Sequence, residues 1–303
     1  MTSNIIDLII KYMHEFIKIF LIISIFLTNP SISAEIKDNL LNKSSKVITK
    51  YVSNLIPGEG LTEVSIDLRD NYKPDFSILG VRELKKIDNG NYFTQFSIIS
   101  TESNNDERYV GNLGFGTRRL NDDKTIMTGF NTFLDYDDYG NTRGSIGAEL
   151  RNSVLELTSN YYKRIEDGDS NVEKVLDGYD VQLTSQIPYL HWANAFYNQY
   201  QWYGVSRPDI KGAKYGAELF LTSHINFELA YDDKDQTGLK DETYAKLQFI
   251  YPGRQGPTFW GSGVSSSMWK TEKDMTDQLL IKVKRTNRIM VEFSGIATIS
   301  RLN

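Results

Sequence analysis

Three histidines, His14, His191 and His224, are the candidate general bases of this chain, and none sits where hydrolytic chemistry would place it. Such chemistry needs an imidazole within reach of a nucleophile and an orienting carboxylate. His14 lies in an N-terminal apolar segment, and His191 and His224 fall at junctions between alternating segments, where turns are expected. No nucleophile elbow, phosphate loop or metal-ligand cluster is present. With no cysteine there is neither thiolate metal binding nor a disulfide scaffold. These residue types and spacings predict no enzyme, no cofactor and no metal site. Acidic runs at Asp135-Tyr136-Asp137-Asp138, Glu166-Asp167-Gly168-Asp169 and Asp232-Asp233-Lys234-Asp235 could hold calcium, but the helix-flanked calcium-loop spacing is missing. They are read as solvated loop charge. Tyr161, Tyr162, Tyr189, Tyr197, Tyr200, Trp202 and Tyr203 cluster near expected strand ends. They could form a sugar platform, but a girdle at a membrane interface fits better.

The elements that must position these residues follow from length and period. The chain has 303 residues and a formal charge of -5, which disfavours a nucleic-acid partner. Residues 1–34 read as a signal peptide. Ile19–Leu27 is an apolar run too short to span a bilayer in the usual way, with Lys11 and Lys18 before it and small residues up to Ala34 after it. Met13 is a second candidate start, and an uncleaved N-terminal anchor is the alternative. Over residues 35–60, Ile36, Leu40, Val47, Tyr51 and Leu55 recur at helical spacing until Pro57-Gly58. That segment is a periplasmic helix, a plug or a tether.

From Leu61 to Tyr251 the period becomes two, as in Val64, Ile66 and Leu68 alternating with Ser65, Asp67 and Arg69. Twelve such stretches occur: 61–69, 74–82, 91–100, 108–118, 125–136, 142–152, 153–164, 176–187, 191–203, 212–222, 224–232 and 241–251. Their length suits a tilted membrane strand, and an even count suits a closed bacterial barrel. Late connections at 165–175, 204–211 and 233–240 are long and polar, whereas those near 152–153, 188–190 and 223 are tight. That asymmetry separates surface loops from periplasmic turns. The expected fold is therefore an all-β, 12-stranded antiparallel transmembrane barrel over 61–251, with outer-membrane lipid and the barrel-assembly machinery as partners. A soluble β-sandwich is the rival, but its strands are commonly shorter and its loops symmetric.

Several runs carry a resemblance. Gly111-Asn112-Leu113-Gly114-Phe115-Gly116-Thr117-Arg118-Arg119 is followed by Gly129-Phe130-Asn131-Thr132-Phe133-Leu134-Asp135. Next come Thr142-Arg143-Gly144-Ser145-Ile146-Gly147-Ala148-Glu149-Leu150, Gly178-Tyr179-Asp180-Val181-Gln182-Leu183, Ile187-Pro188-Tyr189 and Gln199-Tyr200. In this order they resemble the barrel of the intimin and invasin family, the inverse autotransporters. In the tail, Val283-Lys284-Arg285-Thr286-Asn287-Arg288-Ile289-Met290-Val291-Glu292-Phe293 resembles that family's pore-crossing linker.

The resemblance implies an outer-membrane anchor that exports a C-terminal segment, with residues 252–303 as a pore-threading linker. Its site residues would be Val283, Arg285, Asn287, Ile289, Glu292 and Phe293. An extended chain in the lumen would meet inward-facing Arg143, Glu149, Asp180, Gln182, Lys214 and Glu218. Ten residues after Phe293 are too few for an immunoglobulin-like passenger of about 100 residues, so no passenger domain is expected. Residues 35–60 are likewise too short for a peptidoglycan-binding module. Three functions stay open: a stand-alone display anchor left from an adhesin, its passenger truncated or encoded nearby and any surface receptor unknown; a surface interaction protein acting through its acidic external loops; and a narrow pore.

Overall fold

A computed structural model describes residues 58–70, 73–103, 106–168, 173–235 and 240–293. The signal peptide, the 36–55 helix and residues 294–303 lie outside the described residues. Twelve antiparallel strands close into a barrel, formed by β1 (Gly60–Arg69), β2 (Asp75–Ile87), β3 (Gly90–Ser103), β4 (Asp106–Leu120), β5 (Ile126–Asp137), β6 (Thr142–Asn152), β7 (Leu155–Glu166), β9 (Asp177–Ile187), β10 (Leu190–Tyr203), β11 (Ile210–Phe220), β12 (Ile225–Lys234) and β13 (Glu242–Tyr251). Each strand pairs with its neighbours in the barrel. Closure is made by β1 against β13, in register from Thr62↔Tyr251 to Arg69↔Tyr244. A closed sheet leaves no unpaired edge, which lipid would not tolerate. Pro252 has no N–H to extend the ladder beyond Tyr251.

The expected twelve strands are thus found. The largest boundary difference is β2, which runs five residues past its expected end at Arg82 because Lys85, Lys86 and Ile87 pair with Tyr92, Asn91 and Gly90 across a bulge. A further two-stranded sheet was not expected. It joins β8 (Glu173–Val175) to β14 (Val291–Phe293).

Alternation along each strand sorts the barrel into two faces. On β5, Met127, Phe133, Asp135 and Asp137 are buried while Phe130, Leu134 and Tyr136 are exposed. The outward set is apolar and the inward set is largely polar, the inverse of a soluble core and the arrangement that lipid demands. Among the described residues, no helix is long and apolar enough to cross a membrane. The tight turns carry the backbone signals expected of them. Asn89 adopts φ 53 in the two-residue Asp88-Asn89 loop, and Asn121 Oδ1 accepts from Thr125 N (2.8 Å) and Ile126 N (3.0 Å).

Two sequence expectations are corrected by this sorting. Tyr162, Tyr200 and Trp202 are at most 2% exposed and point into the lumen, so they are not part of an interfacial girdle. Tyr161, Tyr189, Tyr197 and Tyr203 face outward. Likewise Asp135, Asp137 and Asp232 are not solvated loop charges. Their side chains are buried within the barrel, each with hydrogen-bond partners. In both cases position near a strand end was the weaker guide, and the parity of the residue within its strand decided the face.

Candidate functional site: a lumen filled by the C-terminal chain

After β13 the chain crosses the short-turn end of the barrel. Its Arg254 N–H bonds to Ser223 O, and Met275 N to Lys124 O at the β4–β5 turn. Just before the mouth, Asp274 accepts from the Thr276 hydroxyl and N–H, which hold its carboxyl below the usual range. Met275 and Leu279 then pack with Leu120 and Met127 as an apolar stopper. From Leu279 to Phe293 the chain runs among the inward side chains of β1 to β9.

That segment has no strand partner until β14, so its main-chain polar groups need other partners. The wall provides them from side chains. Arg118 Nη1 donates to Leu279 O (3.0 Å) and Ile281 O (2.6 Å). Gln95 Oε1 accepts Val283 N (2.7 Å), and Asn160 Nδ2 donates to Lys284 O (3.0 Å). The Tyr162 hydroxyl accepts Thr286 N and Arg143 Nη2 donates to Thr286 O, both at 2.7 Å. Asn112 Nδ2 reaches Asn287 O at 2.8 Å. Contacts of this kind hold a backbone whatever side chains it carries.

Side chains add a register. The segment 279–291 contains Lys282, Lys284, Arg285 and Arg288 and no carboxylate. Each cation meets a wall acid. Lys282 pairs with Glu63 (2.8 Å), Lys284 with Glu156 (3.0 Å), and Arg288 with Asp75 and Asp67. At the centre, Arg285 grips Asp135 with two guanidinium nitrogens (2.9 and 2.7 Å) and stacks over Phe133 at 4.2 Å. Asp135 simultaneously accepts Arg143 Nε (2.9 Å) and Asn112 Nδ2 (2.8 Å). Room for this stack comes partly from Gly114, where a Cβ would lie 2.3 Å from the Phe133 ring. Isolated charges at such burial are costly, so the pairs are interdependent.

The far mouth is closed by a second network. Arg108 bridges Asp137 (2.8 Å) and Glu173 (2.6 Å), and Asn141 Nδ2 donates to both carboxylates. Leu176 N bonds to Met290 O (2.8 Å), where β8 and β14 pair. Glu292 accepts the Val205 and Ser206 N–H groups (2.9 and 3.0 Å), tying the chain to the β10–β11 loop.

The residues nominated from sequence occupy distinct places. Arg143 and Asp180 touch the linker directly, the latter accepting from Thr286 Oγ1 at 3.2 Å. Glu149 acts at one remove by pairing with Arg118 at 2.9 Å. Gln182 bonds to Thr184 and Asn198, Lys214 lies near the Tyr200 and Tyr244 rings, and Glu218 accepts Asn226. Those three line a cavity of about 160 Å³ left between the linker and the opposite wall. In the linker, Val283 packs with Leu79, Val81, Phe93 and Phe133. Ile289 and Phe293 pack with Val110 and Val175, and Asn287 Oδ1 accepts from Arg285 at 3.0 Å. Asp135, Arg118, Gln95, Asn112, Asn160 and Glu63 were not nominated. Strand parity pointed them inward, but nothing local paired them with a segment more than 100 residues away. His191 and His224 each hydrogen-bond a main-chain carbonyl, of Ser267 (3.0 Å) and Ile250 (2.9 Å). Among the described residues no group of three or more His, Asp or Glu could hold a metal.

A family profile described as the inverse autotransporter β-domain matches residues 27–287. A putative attaching and effacing protein homolog from Escherichia coli (strain K12) is 33% identical over 119 residues, covering 36% of this chain and 38% of that protein. The match therefore spans well under half of that relative. Among solved structures, a chain from a study of in-meso crystallization of membrane proteins superposes with a TM-score of 0.61 at 20% identity. It covers 78% of this chain and 99% of that chain, and shows the fold. The translocator domain of autotransporter NalP from Neisseria meningitidis aligns over 69% of this chain and 95% of that chain, with a TM-score of 0.35 and 13% identity.

Proposed function

The chain belongs to the inverse autotransporter β-domain family, and from that membership we propose that this outer-membrane barrel anchors and carries outward the segment that follows β13. The observation that carries the reading is the occupied lumen. A chain leaving the short-turn end passes inside the wall and reaches the long-loop end at Phe293, held through its main chain by Arg118, Gln95, Asn160, Arg143 and Asn112. Main-chain contacts tolerate varied sequence during passage. The four cation–carboxylate pairs then define where passage stops.

Under this reading the long loops, including β8, face the cell surface and the short turns face the periplasm. β13, ending at Tyr251, is the strand that the assembly machinery engages. Attachment, suggested by the name of the E. coli relative, would belong to what is displayed and to its receptor. The rival is a stand-alone pore, favoured by the cavity beside the linker.

An epitope fused after Asn303 tests the proposal. Antibody labelling of intact cells supports outward display. Labelling only after permeabilisation leaves the tail in the periplasm and overturns it.

A further inference from the structure

The stretch between β13 and the lumen has a second feature that threading does not use. From Gln255 to Trp269 it carries no charged residue. It contains the single-turn helix α1 (Phe259–Ser262) and is strapped to the β9–β10 turn by its main chain. Ser265 N donates to Tyr189 O (2.8 Å), and Tyr189 N to Met268 O (3.0 Å). Trp192 Nε1 donates to Gly263 O (2.7 Å), and Lys270 N to Gln186 Oε1 (3.1 Å). Trp192 also meets Phe259 edge-on at 4.7 Å. Tyr189 itself holds φ 65, uncommon for a non-glycine residue, and both of its main-chain polar groups are taken by the strap.

With the backbone so fixed, most of the apolar side chains stay exposed, although Phe259 packs on Trp192. Val264 is 76% exposed, and Phe259, Met268, Trp269 and Tyr189 are exposed as well. A group of large exposed apolar side chains on one pinned backbone marks an interaction surface. Its setting selects the partner. The same hairpin presents Leu183 and Tyr197, paired across β9 and β10, to lipid further up the barrel wall, beyond the Ser185–Ala195 pair. The strap is bonded to the turn of that hairpin, so its exposed side chains lie at the rim, the level where aromatic residues sit between hydrocarbon and water.

We propose that the Phe259–Trp269 strap is a membrane-interface anchor, inserting Phe259, Val264, Met268 and Trp269 at the phospholipid headgroup–acyl boundary of the short-turn end. Only the naming of that leaflet as periplasmic rests on the orientation proposed above. The anchor would hold the linker's approach to the lumen against the bilayer.

The chain has no cysteine, so single thiols can be labelled cleanly. Full-length protein carrying Val264→Cys with an environment-sensitive fluorophore is reconstituted in phosphatidylethanolamine–phosphatidylglycerol vesicles. Tyr197→Cys serves as the lipid-facing control and Asp123→Cys, in a tight turn, as the aqueous control. The expected result is blue-shifted emission at 264, quenching by doxyl-labelled lipid and loss of quenching by iodide, as at 197. Iodide quenching at 264 equal to that at 123 overturns the proposal. Protection from both quenchers also overturns it, because the patch would then be covered by protein, such as a second copy of this chain. Neither result depends on whether the tail reaches the cell surface.

Discussion

Arg285 and Asp135 form the clasp whose removal should most loosen the linker, and the two substitutions should differ in size. Arg285→Met keeps an apolar side chain of similar length but deletes the guanidinium over Phe133, two charge-assisted bonds to Asp135 and weaker ones to Ser145 and Asn287. Asp135 then still has Arg143, at 2.8 Å, so its charge stays compensated. The expected loss is about 3 kcal/mol, the low end for a buried ion pair. Asp135→Asn instead leaves two guanidinium groups facing one neutral amide, and the loss should approach about 5 kcal/mol. At tenfold per 1.4 kcal/mol these correspond to roughly 10²-fold and roughly 10³- to 10⁴-fold more undocked linker.

Docking can be read by modification of a single thiol, Val283→Cys, at a position that is 2% exposed in the docked state. With a neutral maleimide and fast reclosure, the rate follows the undocked population. The double variant should react more slowly than the product of the single effects predicts, because the two groups share one network. Rates within about threefold of the parent for both single variants, or a larger effect for Arg285→Met than for Asp135→Asn, would refute the clasp.

Gly114→Ala should displace the Phe133 ring from beneath Arg285 and cost about 1–3 kcal/mol by overpacking. The check is a lower temperature for the folded-to-unfolded band shift in detergent gels. A chain ending at Asp274 removes Lys282, Lys284, Arg285 and Arg288 from beside Glu63, Glu156, Asp135 and Asp75. In planar bilayers it should conduct more than the full chain and prefer cations, and an anion-selective reversal potential would contradict the pairing. Glu292→Gln weakens two charge-assisted bonds to the β10–β11 loop, about 1–2 kcal/mol in total. Protease cleavage near Val205–Arg207 should accelerate while the barrel's band shift stays unchanged.

What the sequence determined by itself was whatever repeats locally. Alternation, turn chemistry and segment length specify twelve strands and a closed barrel, because inward and outward faces follow from parity over a few residues. The same parity was available for Tyr162, Tyr200 and Trp202, which share a face with Asn160 and Asn198, and for Asp135 beside Phe133 and Asn131. Grouping them by nearness to strand ends obscured it. The linker's cations were visible too, as Lys282, Lys284, Arg285 and Arg288 in a run without acids.

Tertiary structure alone decided which acid each cation meets. Arg285 and Asp135 are 150 positions apart, and their meeting depends on barrel closure, strand stagger and the level at which the tail enters the lumen. The β8–β14 sheet has the same origin. Three residues of the long connection between β7 and β9 carry no strand signal until Val291–Phe293 arrives through the lumen to complete their hydrogen bonds.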